Sequence, residues 1–232
     1  MPWKLAKPDF VGVVFLLLGA FLFILAVPRF MAALVAIPGD AVQFELTRGQ
    51  PVADDALRLI IENRTAALNW LNDPAYYRDI GTAATLLAFR RGFTDHTSTL
   101  LLEKSDVALR SALRLAPVDP GAWARFAYVH RLLGVPPSQV AVDLRASLQT
   151  GPYDPGLLES RLRIAIALWS EFEANDRGAF VEQVRMLWRH DSEALARISL
   201  NPTAFSVITQ AIARDPEALG KLRALRNQLR SE

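Results

Sequence analysis

Eighteen consecutive uncharged and almost wholly apolar residues, FVGVVFLLLGAFLFILAV at positions 10–27, constrain this chain more than any other feature. At 1.5 Å per residue an α-helix of that length reaches roughly 27 Å, close to the ~30 Å hydrocarbon core of a bilayer. A backbone can cross that core only with every N–H and C=O bonded internally, so the segment is expected to be a helix. A secretory signal is the rival reading. Signal peptides have shorter apolar regions that end at a small-residue cleavage site. Here the nearest such site, Gly39-Asp40-Ala41, lies well past Val27. Beyond Pro28 and Arg29 the chain stays apolar from Phe30 to Ile37, too short a stretch to cross again. One anchor helix, kinked or tilted at Pro28 and emerging into the interface, is the expectation.

Orientation follows from the flanking cations. Lys4, Lys7 and the amino terminus precede the run, and Arg29 and Arg48 follow it. Counted as Lys and Arg, this favours a cytoplasmic N-terminus with the large domain on the far side, periplasmic if the chain is a bacterial inner-membrane protein. Three parts are expected: tail and anchor over 1–37, a polar linker over 38–52, and a helical domain over 53–232.

Residues 32–232 hold 23 basic and 23 acidic side chains. That balance lacks the cationic footprint needed to neutralise phosphates, and nucleic acid is not an expected partner. With no cysteine, disulfides, thiolate metal sites and a Cys nucleophile are excluded. Arginine outnumbers lysine 22 to 4, a bias that GC-rich bacterial codons often produce. Ala, Leu and Arg dominate, which is helical composition.

Architecture is announced by a repeat. VALRSALRLAPVDPG at 107–121 aligns with VDLRASLQTGPYDPG at 142–156, a shift of 35 with eight identities in fifteen positions. A period in the thirties signals stacked helical hairpins. Pro117 and Pro152 stop the helices before them. Asp119 and Asp154 can cap the next helices, and Pro120 and Pro155 suit a first helical position, where no N–H is needed. Asp73-Pro74, Asp215-Pro216 and Asn201-Pro202 repeat the signal, so five helix starts are predicted.

With Pro120 as its first position, this stretch resembles the tetratricopeptide repeat, a 34-residue helix–turn–helix unit. Trp123 falls on the family's fourth-position Trp, Phe126 on its seventh-position Leu and Ala127 on its small eighth residue. Gly134 lies in the turn, and Ala146 matches the small residue of the second helix. The unit departs from the family in its 35-residue length, in Gln139 at a small-residue position and in Leu158 where the next repeat would have Trp. The resemblance covers about 105–170. Together with the apolar run, it implies an all-α chain: one transmembrane helix, then antiparallel hairpins stacked in a right-handed array. An irregular helical bundle with two similar hairpins stays open beside it.

Helices are predicted near 53–71, 74–91, 98–115, 120–133, 138–149, 155–170 and 176–190, with shorter ones closing the chain and the last at 216–230. Leu219, Leu222, Leu225 and Leu229 form one stripe of that last helix, as in a capping helix. Trp70, Trp123, Trp169 and Trp188 read as wedges between hairpins, and Trp3 as an interfacial residue.

No catalytic motif, cofactor site or metal site emerges. His96, His130 and His190 lack helical zinc spacing. Asp54-Asp55 and the Glu171/Glu173 pair cannot share a helix face, and neither a nucleophile elbow nor a phosphate-binding loop occurs. The chain therefore reads as a binding protein rather than an enzyme. In tetratricopeptide-like units, positions 2, 5, 9 and 12 of each first helix line a partner groove. Carried onto this sequence, they are Ala75, Arg78, Thr82 and Thr85; Gly121, Ala124, Tyr128 and Arg131; and Gly156, Glu159, Arg163 and Ile166. Arg78, Arg131 and Arg163 beside Tyr128 would bind carboxylates of an acidic partner segment bidentately. The same residues also suit a solvated face, with Glu159–Arg163 as an ordinary i,i+4 pair. The family's peptide-carboxylate clamp is not reproduced. The expected function is a membrane-anchored adaptor or scaffold for other proteins of a bacterial envelope assembly, in secretion, cell-wall or surface-polysaccharide machinery. The alternative is an accessory subunit whose anchor makes the main contacts.

Overall fold

The computed structural model describes residues 10–93 and 95–231, with the side chain of Phe10 left out; Trp3, Lys4 and Lys7 lie outside that set. The described residues are all-α, eleven helices with no strand. They run α1 (Phe10–Thr47), α2 (Asp54–Leu68), α3 (Pro74–Arg91), α4 (His96–Leu115), α5 (Pro120–Leu132), α6 (Pro137–Thr150), α7 (Leu158–Ala167), α8 (Ala174–His190), α9 (Ser192–Ile198), α10 (Pro202–Ala211) and α11 (Pro216–Ser231).

Helix α1 has two characters. From Val11 to Ala26 every residue is exposed, and by length and hydropathy this stretch can cross a membrane. Past Pro28 it acquires one buried stripe, Ala32, Ala36 and Gly39, continued by half-buried Val42 and Leu46. The spacing is that of a single helix face packed on a neighbour. Both Pro28 and Pro38 lie inside the helix, so the 38–52 linker expected from the sequence is helical as far as Thr47. Side-chain donors reach carbonyls beside each proline. Arg29 Nη1 donates to the Leu25 carbonyl at 2.9 Å, and Arg64 Nη1 to that of Ala36 at 3.0 Å. The carbonyls freed by the prolines are those of Ile24 and Leu34, so these bonds do not replace the lost ones; around Pro38, packing and Arg64, bonded to both Ala36 and Asp40, hold the helix continuous.

All five predicted starts carry Pro at the first turn, and four of the five capping groups bond within the next turn of an α-helix. Asp73 accepts from the Ala75 N–H at 2.8 Å, Asp119 from Ala122 at 2.9 Å and Asp215 from Ala218 at 2.9 Å. Asn201 accepts from Thr203 and Ala204. Asp154 caps a 3-10 turn (Pro155–Leu157) that leads into α7. Asp95 and Asp191 cap α4 and α9 as well.

The 35-residue shift is structural. α4 ends at Leu115 and α6 at Thr150, and the next elements start at Pro120 and Pro155. Leu109 and Leu144 are both fully buried, as are the pairs Ala127/Leu162 and Val129/Ile164. The earlier unit is longer, with α3 starting at Pro74, and does not share the period. Successive helices pack on one another from α1 to α8. The first helices of the pairs also touch in series, α3 with α5, α5 with α7 and α7 with α10, which places them in one layer. Leu222 of α11 is fully buried, and Leu219, Leu225 and Leu229 pack on the same C-terminal core. Trp123 is half-buried, packed against Leu109, Leu113 and Phe126, with Nε1 donating to the Pro117 carbonyl at 2.8 Å. Trp169 and Trp188 pack against core clusters. Trp70 does not: it lies in the turn after α2 and is exposed.

Candidate functional site

Three buried ionic nodes tie the helices together. Arg64 of α2, 3% exposed, donates through Nε to Asp79 of α3 at 2.9 Å and through Nη2 to Asp40 of α1 at 2.6 Å, besides its bond to Ala36. Burial opposes its charge, but the two carboxylates outweigh it and its pKa is raised. Asp79 pays for the same site: burial is the main cause of its raised pKa, and Arg64 counters only part. This node fastens the apolar helix to the domain.

His130 of α5 places Nδ1 2.6 Å from Asp143 of α6 and Nε2 2.9 Å from Asp106 of α4. Two carboxylates accept from both ring nitrogens only if the ring is an imidazolium. Burial lowers its pKa, yet Asp143 and Asp106 prevail and raise it. Arg161 of α7, fully buried, satisfies the end of α6. It donates to the Ser147 hydroxyl at 3.0 Å, the Ser147 carbonyl at 2.7 Å and the Gly151 carbonyl at 2.8 Å. No carboxylate among the described residues bonds it; burial lowers its pKa, with the Asp154 charge countering only part, and the negative end of the α6 dipole adds to that support.

The first-helix layer carries the candidate binding surface, two adjoining clefts. One, of about 420 Å³, is lined by Ala124, Arg125, Tyr128 and Arg131 of α5 and by Gly156, Leu157, Ser160, Arg163 and Ile164. The other, of about 400 Å³, runs on between Arg131, Arg163, Ile166 and Ala167 and the start of α10 at Asn201, Thr203 and Ala204. Arg131 and Arg163 border both. The first cleft is mainly apolar and the second mixed, with Asn201 and Thr203 in its wall; the charged groups of both are guanidinium groups, a lining that suits an amphipathic anionic segment.

Of the residues expected to face a groove, Ala124, Tyr128, Arg131, Gly156, Arg163 and Ile166 come together here. Glu159 neutralises Arg163, accepting from its Nη2 at 2.7 Å. Arg78 stands apart from both clefts, with Nη1 2.8 Å from the Asp119 carboxylate. Thr85 is buried and bonded to Ser105 and the Gly81 carbonyl, and Thr82 donates back to Arg78. Both clefts lie on the α7 side of α5, away from α3, and Arg78 is taken by the cap of α5.

Arg125 was missed by family positions alone. Half-buried in the cleft wall, it makes no hydrogen bond or ion pair among the described residues. Its pKa is lowered by burial and by the nearby Arg78 cation, against weaker support from Asp119 and Asp79. The sequence did carry a signal: Arg125 lies three residues before Tyr128, on the same side of the helix. Arg131 is exposed and likewise unpaired among the described residues. Among these residues no group of three or more His, Asp or Glu is placed to hold a metal ion.

Compared with protein-family models and with curated proteins, the chain matches none.

Proposed function

We propose that this chain is a single-pass membrane adaptor whose divergent tetratricopeptide-like layer holds an acidic segment of a partner protein. The observation that carries the reading is the run of guanidinium groups along the two clefts. Neither Arg125 nor Arg131 makes an ion pair among the described residues, and Arg125 is half-buried with only the weaker support of Asp119 and Asp79, a costly position for a cation. A partner carboxylate would supply it, and Tyr128 offers a flat surface for apolar neighbours. Because Arg64 joins α1 to α2 and α3, a partner held by the clefts would be held at the membrane. Helical-repeat domains beside an anchor suit envelope machinery of the secretion, cell-wall or surface-polysaccharide kind, by analogy of architecture. The orientation we propose has the N-terminus cytoplasmic and the domain periplasmic, at a bacterial inner membrane. The role is binding, not catalysis.

The test is co-purification from membranes in mild detergent with mass spectrometry, comparing wild type with Arg131→Glu/Arg163→Glu. Loss of the partner with an unchanged helical circular-dichroism spectrum is expected. Undiminished recovery would move the contact to α1. A specific observation favours that second reading: residues 11–26 are exposed on every side, and Gly19 has open space around its Cα, room for a second transmembrane helix.

A further inference from the structure

The point where α1 joins the domain defines one edge of the helical array. Ala32 and Ala36 pack against Ala67, Leu71 and Tyr76, so the turn between α2 and α3 lies beside α1 just beyond the apolar run. From Val27 to Ala32 is ~7 Å at 1.5 Å per residue. A headgroup region is roughly 5–8 Å thick on each side of the hydrocarbon. The edge can be followed by contact. Arg78, in the first turns of α3, bonds Asp119 in the α4–α5 turn at 2.8 Å. Pro120, next in that turn, accepts from the Ser147 hydroxyl at 2.6 Å, and a Cβ on Gly151 would lie 2.7 Å from its ring. The turns at 69–73, 116–119 and 151–154 are therefore neighbours along the side from which α1 leaves.

That edge displays apolar tips. Tyr153 is 80% exposed and Val118 74%, the two most exposed large hydrophobic residues described, above any in the apolar run itself. They are 35 apart, at the same position of successive turns, and belong to no core cluster. Trp70 and Leu115 are exposed nearby. At the opposite edge the aromatics are less exposed and make side-chain contacts: Phe89, 59% exposed, packs edge-on to Phe93, 40% exposed, and Arg48 lies over Phe44, 57% exposed. The carboxylates beside the apolar tips are occupied, since Asp73, Asp119 and Asp154 all accept from the first N–H groups of the following helices. Aromatic and aliphatic side chains at headgroup depth are favoured at a bilayer interface.

We infer that this edge rests on the membrane, with Val118 and Tyr153 dipping into the lipid interface as a second attachment beside α1. The inference depends on α1 being a retained anchor, and its test separates the two. Since the chain has no cysteine, single nitroxide labels can be placed by Val118→Cys, Tyr153→Cys, Phe93→Cys and Leu18→Cys in the full-length protein. Each is reconstituted in nanodiscs of phosphatidylcholine and phosphatidylglycerol. Collisional access to oxygen relative to a water-soluble nickel chelate should be highest at 18, and several-fold higher at 118 and 153 than at 93. Equal, water-like values at 118, 153 and 93 with a lipid-embedded 18 overturn the inference alone. A water-accessible 18 overturns the anchor, and this edge contact with it.

Discussion

Arg64 and Arg161 differ from Arg125 and Arg131 in surroundings, not in chemistry. The first two are buried, and the protein fills their hydrogen-bonding directions: carboxylates and a carbonyl for Arg64, a hydroxyl and two carbonyls for Arg161. The second two border clefts and have neither bond nor ion pair among the described residues. A guanidinium whose donors are satisfied internally is part of the frame, and one left open at a cleft is available to a ligand. Both kinds occur within the 35-residue repeat: Phe126 and Arg161 are equivalent core positions, whereas Arg125 and Ser160 are equivalent cleft positions.

The sharpest way to break this distinction is Arg64→Met. It strands buried Asp79, and removing one partner of a buried pair costs about 3–5 kcal/mol. Denaturant unfolding of the full chain in detergent should show it, with much of the loss recovered in Arg64→Met/Asp79→Leu. A change below about 1 kcal/mol, the scale of an exposed pair, would place Arg64 with the cleft arginines. Trp123→Ala comes next. A fully buried Trp costs about 3–5 kcal/mol to truncate, and half-burial puts this one nearer ~2 kcal/mol, measured the same way.

The Asp106–His130–Asp143 clamp extends the frame to pH. Folded His130 keeps its proton above the ordinary imidazole value of ~6.5. Its stabilisation is therefore complete below that value and is lost as pH rises through the raised folded value. Unfolding midpoints compared across that window should fall with pH in wild type, and the slope should flatten in His130→Gln. An identical slope in both would mean the clamp holds a neutral ring. The smallest stability effect is expected at the clefts. Arg131→Glu should shift stability by no more than about 0.5 kcal/mol, as exposed substitutions do, while reducing partner recovery. A large destabilisation would show that Arg131 belongs to the frame.

Local chemistry made much of the fold legible. Each Asp-Pro or Asn-Pro start depends on a cap and a proline a residue apart, and all five appear where the sequence places them. The apolar run, being helical by necessity in lipid and by composition elsewhere, was equally plain. The continuity of α1 through Pro38 was not, because a proline's local tendency to end a helix is overcome by the Ala32–Ala36–Gly39 face and by Arg64, which lies 28 residues beyond the carbonyl it binds. The cleft was half legible. The resemblance to tetratricopeptide units put Tyr128, Arg131 and Arg163 on one layer, but it also put Arg78 there, and Arg78 found Asp119, 41 residues away.

The sequence alone therefore determined what neighbours along the chain can settle: helix identity, helix starts, a 35-residue period and one segment long enough to cross a membrane. Only the tertiary structure decided which charges are spent. Whether a guanidinium meets a carboxylate depends on side chains that folding brings from distant helices, and burial sets what an unmet charge costs. Thus Arg64, Arg161 and His130 became frame, Arg78 was taken by a helix cap, and Arg125, which no repeat position marked, was left open beside Arg131.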